Sequence, residues 1–199
     1  GWDSYVNICG WDNLMISAVK KEENQIYQGK SLQEVSQMMG MDVVEAAANF
    51  IIKDDGESCM VVHKMFSEED IAELLAHPLS QIGSDGIPTG NPHPRLYGTF
   101  PKFFGTYVRD KKIMSWQEGV KRVTSDSAKR LGMKGKGLIR EGYDADLVVF
   151  APEEIQDEEN YMNSAIQPKG ISHVLVDGRV VLEDGKTKNP GSGKFIFKV

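Results

Sequence analysis

Asp85 and Arg95 are the residues of this chain best placed by type and spacing to do chemistry. The first lies in Gly83-Ser84-Asp85-Gly86, the second in Asn91-Pro92-His93-Pro94-Arg95-Leu96-Tyr97-Gly98-Thr99-Phe100. Pro92 and Pro94 push Asn91 and His93 toward extended backbone. His93 and Arg95 are therefore expected to point the same way from a stiff loop. A loop with little entropy left to lose, carrying an imidazole and a guanidinium, suits recognition of a small anion. Spacing alone favours a plainer account, in which Asp85 caps a turn, Arg95 is a solvated charge and the prolines stiffen a loop.

The elements around this stretch must position it. Ser67-Glu68-Glu69-Asp70 reads as a helix start with a hydroxyl cap and an acidic first turn. Ile71, Leu74 and Leu75 supply its apolar face, and His77-Pro78 stops it. Leu79 to Ser84 reads as a short strand, and Gly86 with Pro88 turns the chain away. A helix, a strand and then an acid at the strand's carboxyl end is how α/β barrels present catalytic groups.

The amino-terminal third reads as helical. Ser31-Leu32-Gln33-Glu34 is a capping-box pattern ahead of Val35, Met38 and Met39, with Gly40 as the stop. A second helix starts at Asp42, with Val43, Ala46, Ala47, Phe50 and Ile51 on one face, and ends at Lys53-Asp54-Asp55-Gly56. Ser58 to Val62 follows as a short strand. Helical spacing assigns the methionines at 38, 39 and 41 to the core rather than to a partner surface.

Further on, Phe100, Phe103, Phe104, Tyr107 and Val108 mark a packed helix face. Ser115-Trp116-Gln117-Glu118 opens a helix running through Val120, Val123 and Ala128 to Leu131, with Gly132 as its stop. The tail is β-rich, with a buried strand from Leu147 to Phe150. Val174-Leu175-Val176 and Arg179-Val180-Val181-Leu182 flank the hairpin signal Asp177-Gly178. Phe195 to Phe197 is read as a segment closing the sheet.

Ser84-Asp85-Gly86, with His93-Pro94-Arg95 and Tyr97-Gly98-Thr99-Phe100-Pro101, resembles the last barrel segment of the N-acyl-D-amino-acid deacylases (D-aminoacylases). These are zinc enzymes of the amidohydrolase superfamily. Gly137-Leu138-Ile139-Arg140-Glu141-Gly142-Tyr143-Asp144-Ala145-Asp146-Leu147-Val148-Val149-Phe150 resembles the superfamily's return into its small β-sandwich. The likeness is good from about Ser67 to Lys186 and looser before it. Trp11, Ile16 and Tyr27-Gln28-Gly29-Lys30-Ser31-Leu32 are in keeping with the same branch.

The resemblance implies a fold class and a reaction. The expected fold is α/β: the carboxyl-terminal part of a TIM-like (β/α)8 barrel with a helical insertion over residues 1–133, then a β-sandwich segment over 134–199. A complete barrel needs about 250 residues, so 199 residues read as a fragment of a larger enzyme. The implied reaction is hydrolysis of the amide of an N-acyl-D-amino acid by zinc-bound hydroxide. Asp85 would carry the proton from water to the leaving amine. Arg95 would hold the substrate's α-carboxylate. Ser84, His93 and Tyr97 would shape the loop.

A hydrolytic zinc site needs at least three converging protein ligands. His63, His77, His93 and His173 are scattered, without His-x-His or His-x-x-x-His pairs, and Cys9 and Cys59 form no Cys-x-x-Cys motif. The implied ligand set is therefore expected to be incomplete here, with Asp85 a possible ligand, His93 more open to that role than the other histidines, and the chain inactive alone. A net charge of −6 and no basic patch argue against nucleic acid. No membrane span is seen, and two distant cysteines suit a reducing, cytoplasmic setting. The expected partner is a small N-acyl amino acid, with oligomerisation left open. The competing readings are a non-catalytic scaffold or oligomerisation module, and a related amidohydrolase acting on a cyclic amide.

Overall fold

A computed structural model describes residues 4–88, 92–158, 161 and 163–196. The chain forms two compact units, one of Gly1–Ile71, Asp85–Leu96 and Glu159–Ala165, the other of Ala72–Ser84, Tyr97–Glu158 and Ile166–Val199. Among the described residues no helix is long and apolar enough to cross a membrane.

The first unit is built around a two-stranded antiparallel sheet with helices against it. A short helix α1 (Tyr5–Cys9) leads to strand β1 (Leu14–Ala18), which pairs with β2 (Cys59–Val62). Between the strands lie helices α2 (Leu32–Met39) and α3 (Val43–Lys53). The α2 start carries the full capping box: Ser31 Oγ accepts the Glu34 N–H, and the Glu34 carboxylate accepts the Ser31 N–H. Gly40, at φ 65°, ends α2 in the left-handed conformation that a side chain would strain.

Ile16, Val35 and Phe50 are fully buried, with Leu14, Leu32 and Ala47 closing the core around them. Tyr27 meets Phe50 edge-on at 5.8 Å. Only Met39 of the three methionines packs on this core; Met38 and Met41 are exposed. One helix face holds a limited arc, and Leu32, Val35 and Met39 take the arc of α2 that faces inward. Ile51, placed on the buried face by periodicity, is likewise exposed.

One buried charge organises the unit's edge. Asp54, at the end of α3, is wholly buried. Its carboxylate accepts the Lys20 N–H (2.9 Å), the Lys21 N–H (3.0 Å) and the Asn24 amide (2.9 Å). Burial pushes its carboxyl up, but the bonds from Asn24, Lys20 and Lys21 and the Lys21 charge outweigh this and hold it below the usual range.

Helix α4 (Glu68–Ala76) starts as its sequence requires, with Ser67 Oγ accepting the Asp70 N–H. The strand expected over Leu79–Ser84 does not form; the segment belongs to neither sheet, and Leu79 is exposed. A strand is completed by a neighbouring strand, and neither sheet of the described residues includes this segment.

In the second unit, the buried guanidinium of Arg122 donates to the carbonyls of Leu75, Ala76 and His77 and closes the end of α4. Helix α5 (Arg95–Lys102) contains Pro101, which cannot donate, and the chain continues as a wider π-helical stretch over Phe103–Asp110. Phe103, Phe104, Tyr107 and Val108 are buried as their spacing predicts, whereas Phe100 stays exposed.

The helix begun by Ser115, whose Oγ accepts the Glu118 N–H, is α6 (Trp116–Lys121). A π-helical turn joins it to α7 (Ser127–Leu131), which ends at left-handed Gly132. Strands β3 (Leu147–Phe150), β4 (Ile171–Val176), β5 (Arg179–Glu183) and β6 (Lys186–Thr187) form an antiparallel sheet in that order. Asp177 and Gly178 both have positive φ, as the two-residue hairpin demands.

Phe104 stacks on Trp116 at 5.7 Å, and both rings reach Phe150 of β3. Strand β3 is nonetheless an edge strand, and Val148 and Val149 are half exposed rather than buried. The sheet ends at β6 and not at Phe195; Phe195 and Ile196 belong to no strand, and Phe197 lies outside the described residues. Lys136 ties the sheet's approach together, donating to Asp144 (2.9 Å) and Asp146, while Asp146 accepts the Asp177 N–H at 2.8 Å.

Candidate functional site

Asp85 and Gly86 come together with the start of α5 in the first unit. Asp85 sits outside any regular element instead of at a strand end, in the left-handed region with φ 46°. Aspartate tolerates this left-handed conformation better than most side chains. Gly86 is required by contact: a Cβ there would lie 2.6 Å from Leu96 Cδ1 and 2.9 Å from its Cα. The segment is thus pressed against the first turn of α5.

That closeness brings the two predicted site residues into contact. Arg95 Nη2 lies 2.8 Å from Asp85 Oδ2, and Arg95 Nε donates to the Asp85 carbonyl at 3.0 Å. Arg95 is therefore the first residue of α5, not part of a stiff loop. Pro94 explains the difference, since its fixed φ favours the opening of a helix as much as an extended loop. His93 and Arg95 do not point the same way: the guanidinium meets Asp85, whereas the His93 ring meets Tyr161. Asn91 lies outside the described residues.

The Asp85 side chain is 85% exposed and that of Arg95 40%. A pair so exposed contributes about 0–1 kcal/mol.

His63 and His93 both touch Tyr161, with ring centroids 4.0 and 5.0 Å away. His77 Nδ1 accepts the Leu79 N–H beyond α4, and His173 lies on β4, 3.7 Å from Glu183. Cys9 and Cys59 are free thiols. Among the described residues no three His, Cys, Asp or Glu side chains are grouped to hold a metal. The described residues thus do not by themselves fit a zinc site.

Periodicity and motif reading missed three anchors, Asp54, Arg122 and Tyr161. In the sequence Asp54 reads only as a helix stop, and nothing local to Tyr161 signals that two histidine rings meet on it.

A profile described as the amidohydrolase family matches residues 20–182. The chain belongs to the amidohydrolase family. Within it, the chain is 29% identical to D-aminoacylase of Alcaligenes xylosoxydans xylosoxydans, over 98% of its own length and 41% of that protein's. It is 31% identical to the N-acyl-D-aspartate deacylase of the same organism, over 82% of its length and 32% of that protein's.

Its structure superposes with a TM-score of 0.77 on N-acyl-D-glutamate deacylase from Bordetella bronchiseptica, complexed with zinc and a phosphonate that mimics the tetrahedral intermediate (27% identical; 89% of this chain, 36% of that one). A D-aminoacylase with a binuclear metal centre matches with a TM-score of 0.79 and 30% identity, over 90% of this chain and 36% of that one. The mixed helix-and-strand architecture is thus that of the D-aminoacylase amidohydrolase fold. The chain spans about two fifths or less of the relatives it matches.

Proposed function

We propose that this chain works as part of a longer deacylase that hydrolyses the amide of N-acyl-D-amino acids, and that its own contribution is the Asp85–Arg95 pair. The observation that carries this reading is the 2.8 Å contact between the two side chains. It brings a proton acceptor and a carboxylate-binding fork to one point.

In the proposed reaction Asp85 accepts a proton as water adds to the acyl carbon, and returns it to the nitrogen as the C–N bond breaks. The products are a carboxylate and a free D-amino acid. Arg95 exchanges Asp85 for the substrate's α-carboxylate, which holds the substrate by its amino-acid end. Support comes from the family, from relatives named for N-acyl-D-aspartate and N-acyl-D-glutamate, and from the exposure of the pair. The described residues do not supply a metal site, so the chain alone is expected to be inactive and to bind no stoichiometric zinc. Its TIM-like barrel setting, the 133/134 division into barrel part and sandwich segment, and a cytoplasmic location with a small-molecule partner belong to the same proposal.

The test is Arg95→Met in the complete enzyme, assayed on an N-acyl-D-amino acid and on its carboxamide. A hydrogen bond to a charged group contributes about 1.5–3 kcal/mol, or roughly ten- to a hundredfold in kcat/KM. The acid should lose that much and the carboxamide far less. Equal losses on both substrates would make Arg95 structural and remove the support that this residue gives to a deacylase over a cyclic-amide enzyme or a scaffold.

A further inference from the structure

We propose that His93 is a positioning residue for Arg95, a role that rests on the reading of Arg95 as the substrate-carboxylate clamp. His93 Nδ1 accepts the Arg95 backbone N–H at 3.1 Å, and the His93 carbonyl accepts the Leu96 N–H at 3.0 Å. Pro94 stands between them, where a residue without an N–H and with φ preset for a helix belongs. A side-chain acceptor on the second helical N–H, followed by proline at the first position, is the arrangement of an N-cap. Helix ends are defined to within a residue or two, so His93 closes the start of α5 even though the regular helix begins at Arg95.

Histidine is a weak choice for capping alone, since Ser, Thr, Asp and Asn lead at that position. Its ring adds what those residues lack. It lies edge-on to Tyr161 (5.0 Å, 84°), whose ring also meets His63 at 4.0 Å. His63 directly follows β2, and its N–H donates to the Asn13 carbonyl at 2.8 Å, just ahead of β1. Arg95 and Leu96, which open α5, are thereby tied through the His93, Tyr161 and His63 rings to the β1–β2 sheet, all within the first unit. His93 fixes where α5 begins, and hence that Arg95 points at Asp85.

The cap needs an unprotonated Nδ1, so the neutral imidazole must carry its proton on Nε2. Nitrogen-15 NMR of this chain above pH 7 reads that tautomer directly. An Nε2–H form is expected, and a proton on Nδ1 in the folded chain would overturn the proposal. Hydrogen exchange then compares two variants. His93→Leu removes the acceptor and should speed exchange at the Arg95 backbone N–H about fivefold, the weight of a typical cap, and should also speed exchange at Arg95 Nε–H.

His93→Asn places Oδ1 where Nδ1 stood and should restore the backbone protection. Should Asn behave like Leu while the protection of Val35 is unchanged in both, the capping role is wrong. Should His93→Leu leave Arg95 Nε–H exchange unaltered, His93 does not steer the guanidinium. Neither measurement involves turnover, so a failure of the clamp reading would appear separately, in the acid and carboxamide comparison.

Discussion

Asp54→Ala is the perturbation whose cost the structure specifies most fully. The carboxylate is wholly buried and accepts three donors, two backbone N–H groups and the buried Asn24 amide. Hydrogen bonds to a charged acceptor contribute about 1.5–3 kcal/mol each, so independent bonds would sum to roughly 5–9 kcal/mol. The real loss is smaller, because Lys20 is exposed and Lys21 half-buried, so that water can replace the carboxylate at their N–H groups. Asn24 has no such recourse, and stranding a buried donor costs about 1–3 kcal/mol.

A net destabilisation of about 3–4 kcal/mol is therefore expected, mainly from the stranded Asn24 donor and the lost charge-assisted bonds. Urea unfolding followed by the fluorescence of Trp11, which packs on the same core, measures it. Asp54→Asn, which keeps one acceptor oxygen, should lose about half as much.

The pH dependence supplies a second check. Because the folded carboxyl lies below its unfolded value of about 3.9, its contribution is complete above that value and is lost as pH falls through the folded one. The wild type should therefore lose more stability than Asp54→Ala on acidification from pH 7 to pH 3. A cost below about 1 kcal/mol, within the range of ordinary surface changes, together with parallel pH profiles, would refute the buried-anchor account.

Asp85→Asn in the complete enzyme keeps shape but removes the proton acceptor, so kcat should fall by about 10²–10⁴; near-normal turnover would leave Asp85 a turn residue. Arg122→Met should cost about 2–3 kcal/mol by uncapping α4, with Arg122→Lys recovering part of it, as read by chemical unfolding. Lys136→Met should cost about 1–2 kcal/mol, between the values for exposed and buried pairs. Hydrogen bonds to Asp146 and Asp144 raise the Lys136 pKa, and Lys136 in turn lowers that of Asp146. The advantage of the wild type over Lys136→Met should thus fade as pH falls through the carboxyl range and again as it rises past the usual lysine value; a difference constant from pH 3 to 11 would disprove the pairing.

What could be read before folding was what the chain decides over a few residues. The Ser31 capping box, the Gly40 and Gly132 stops, the Asp177-Gly178 hairpin and the packed stripe from Phe103 to Val108 all rest on neighbours one to four positions apart, where backbone sterics and periodicity act. Asp85 and Arg95 were also picked out in this way, as types at a spacing. Their contact was not, because it depends on α5 beginning at Arg95 and on Gly86 admitting Leu96.

The misread elements share one cause. Leu79–Ser84 has the composition of a strand, but a strand exists only when another lies beside it. Met38, Met41 and Val148 have the apolarity of a core, but burial depends on what covers them. Asp54 reaching back to Lys20, Arg122 to the end of α4, and Tyr161 to His63 and His93 are pairings over thirty or more residues. No local pattern encodes such distances, since they follow from how the helices and sheets close on each other.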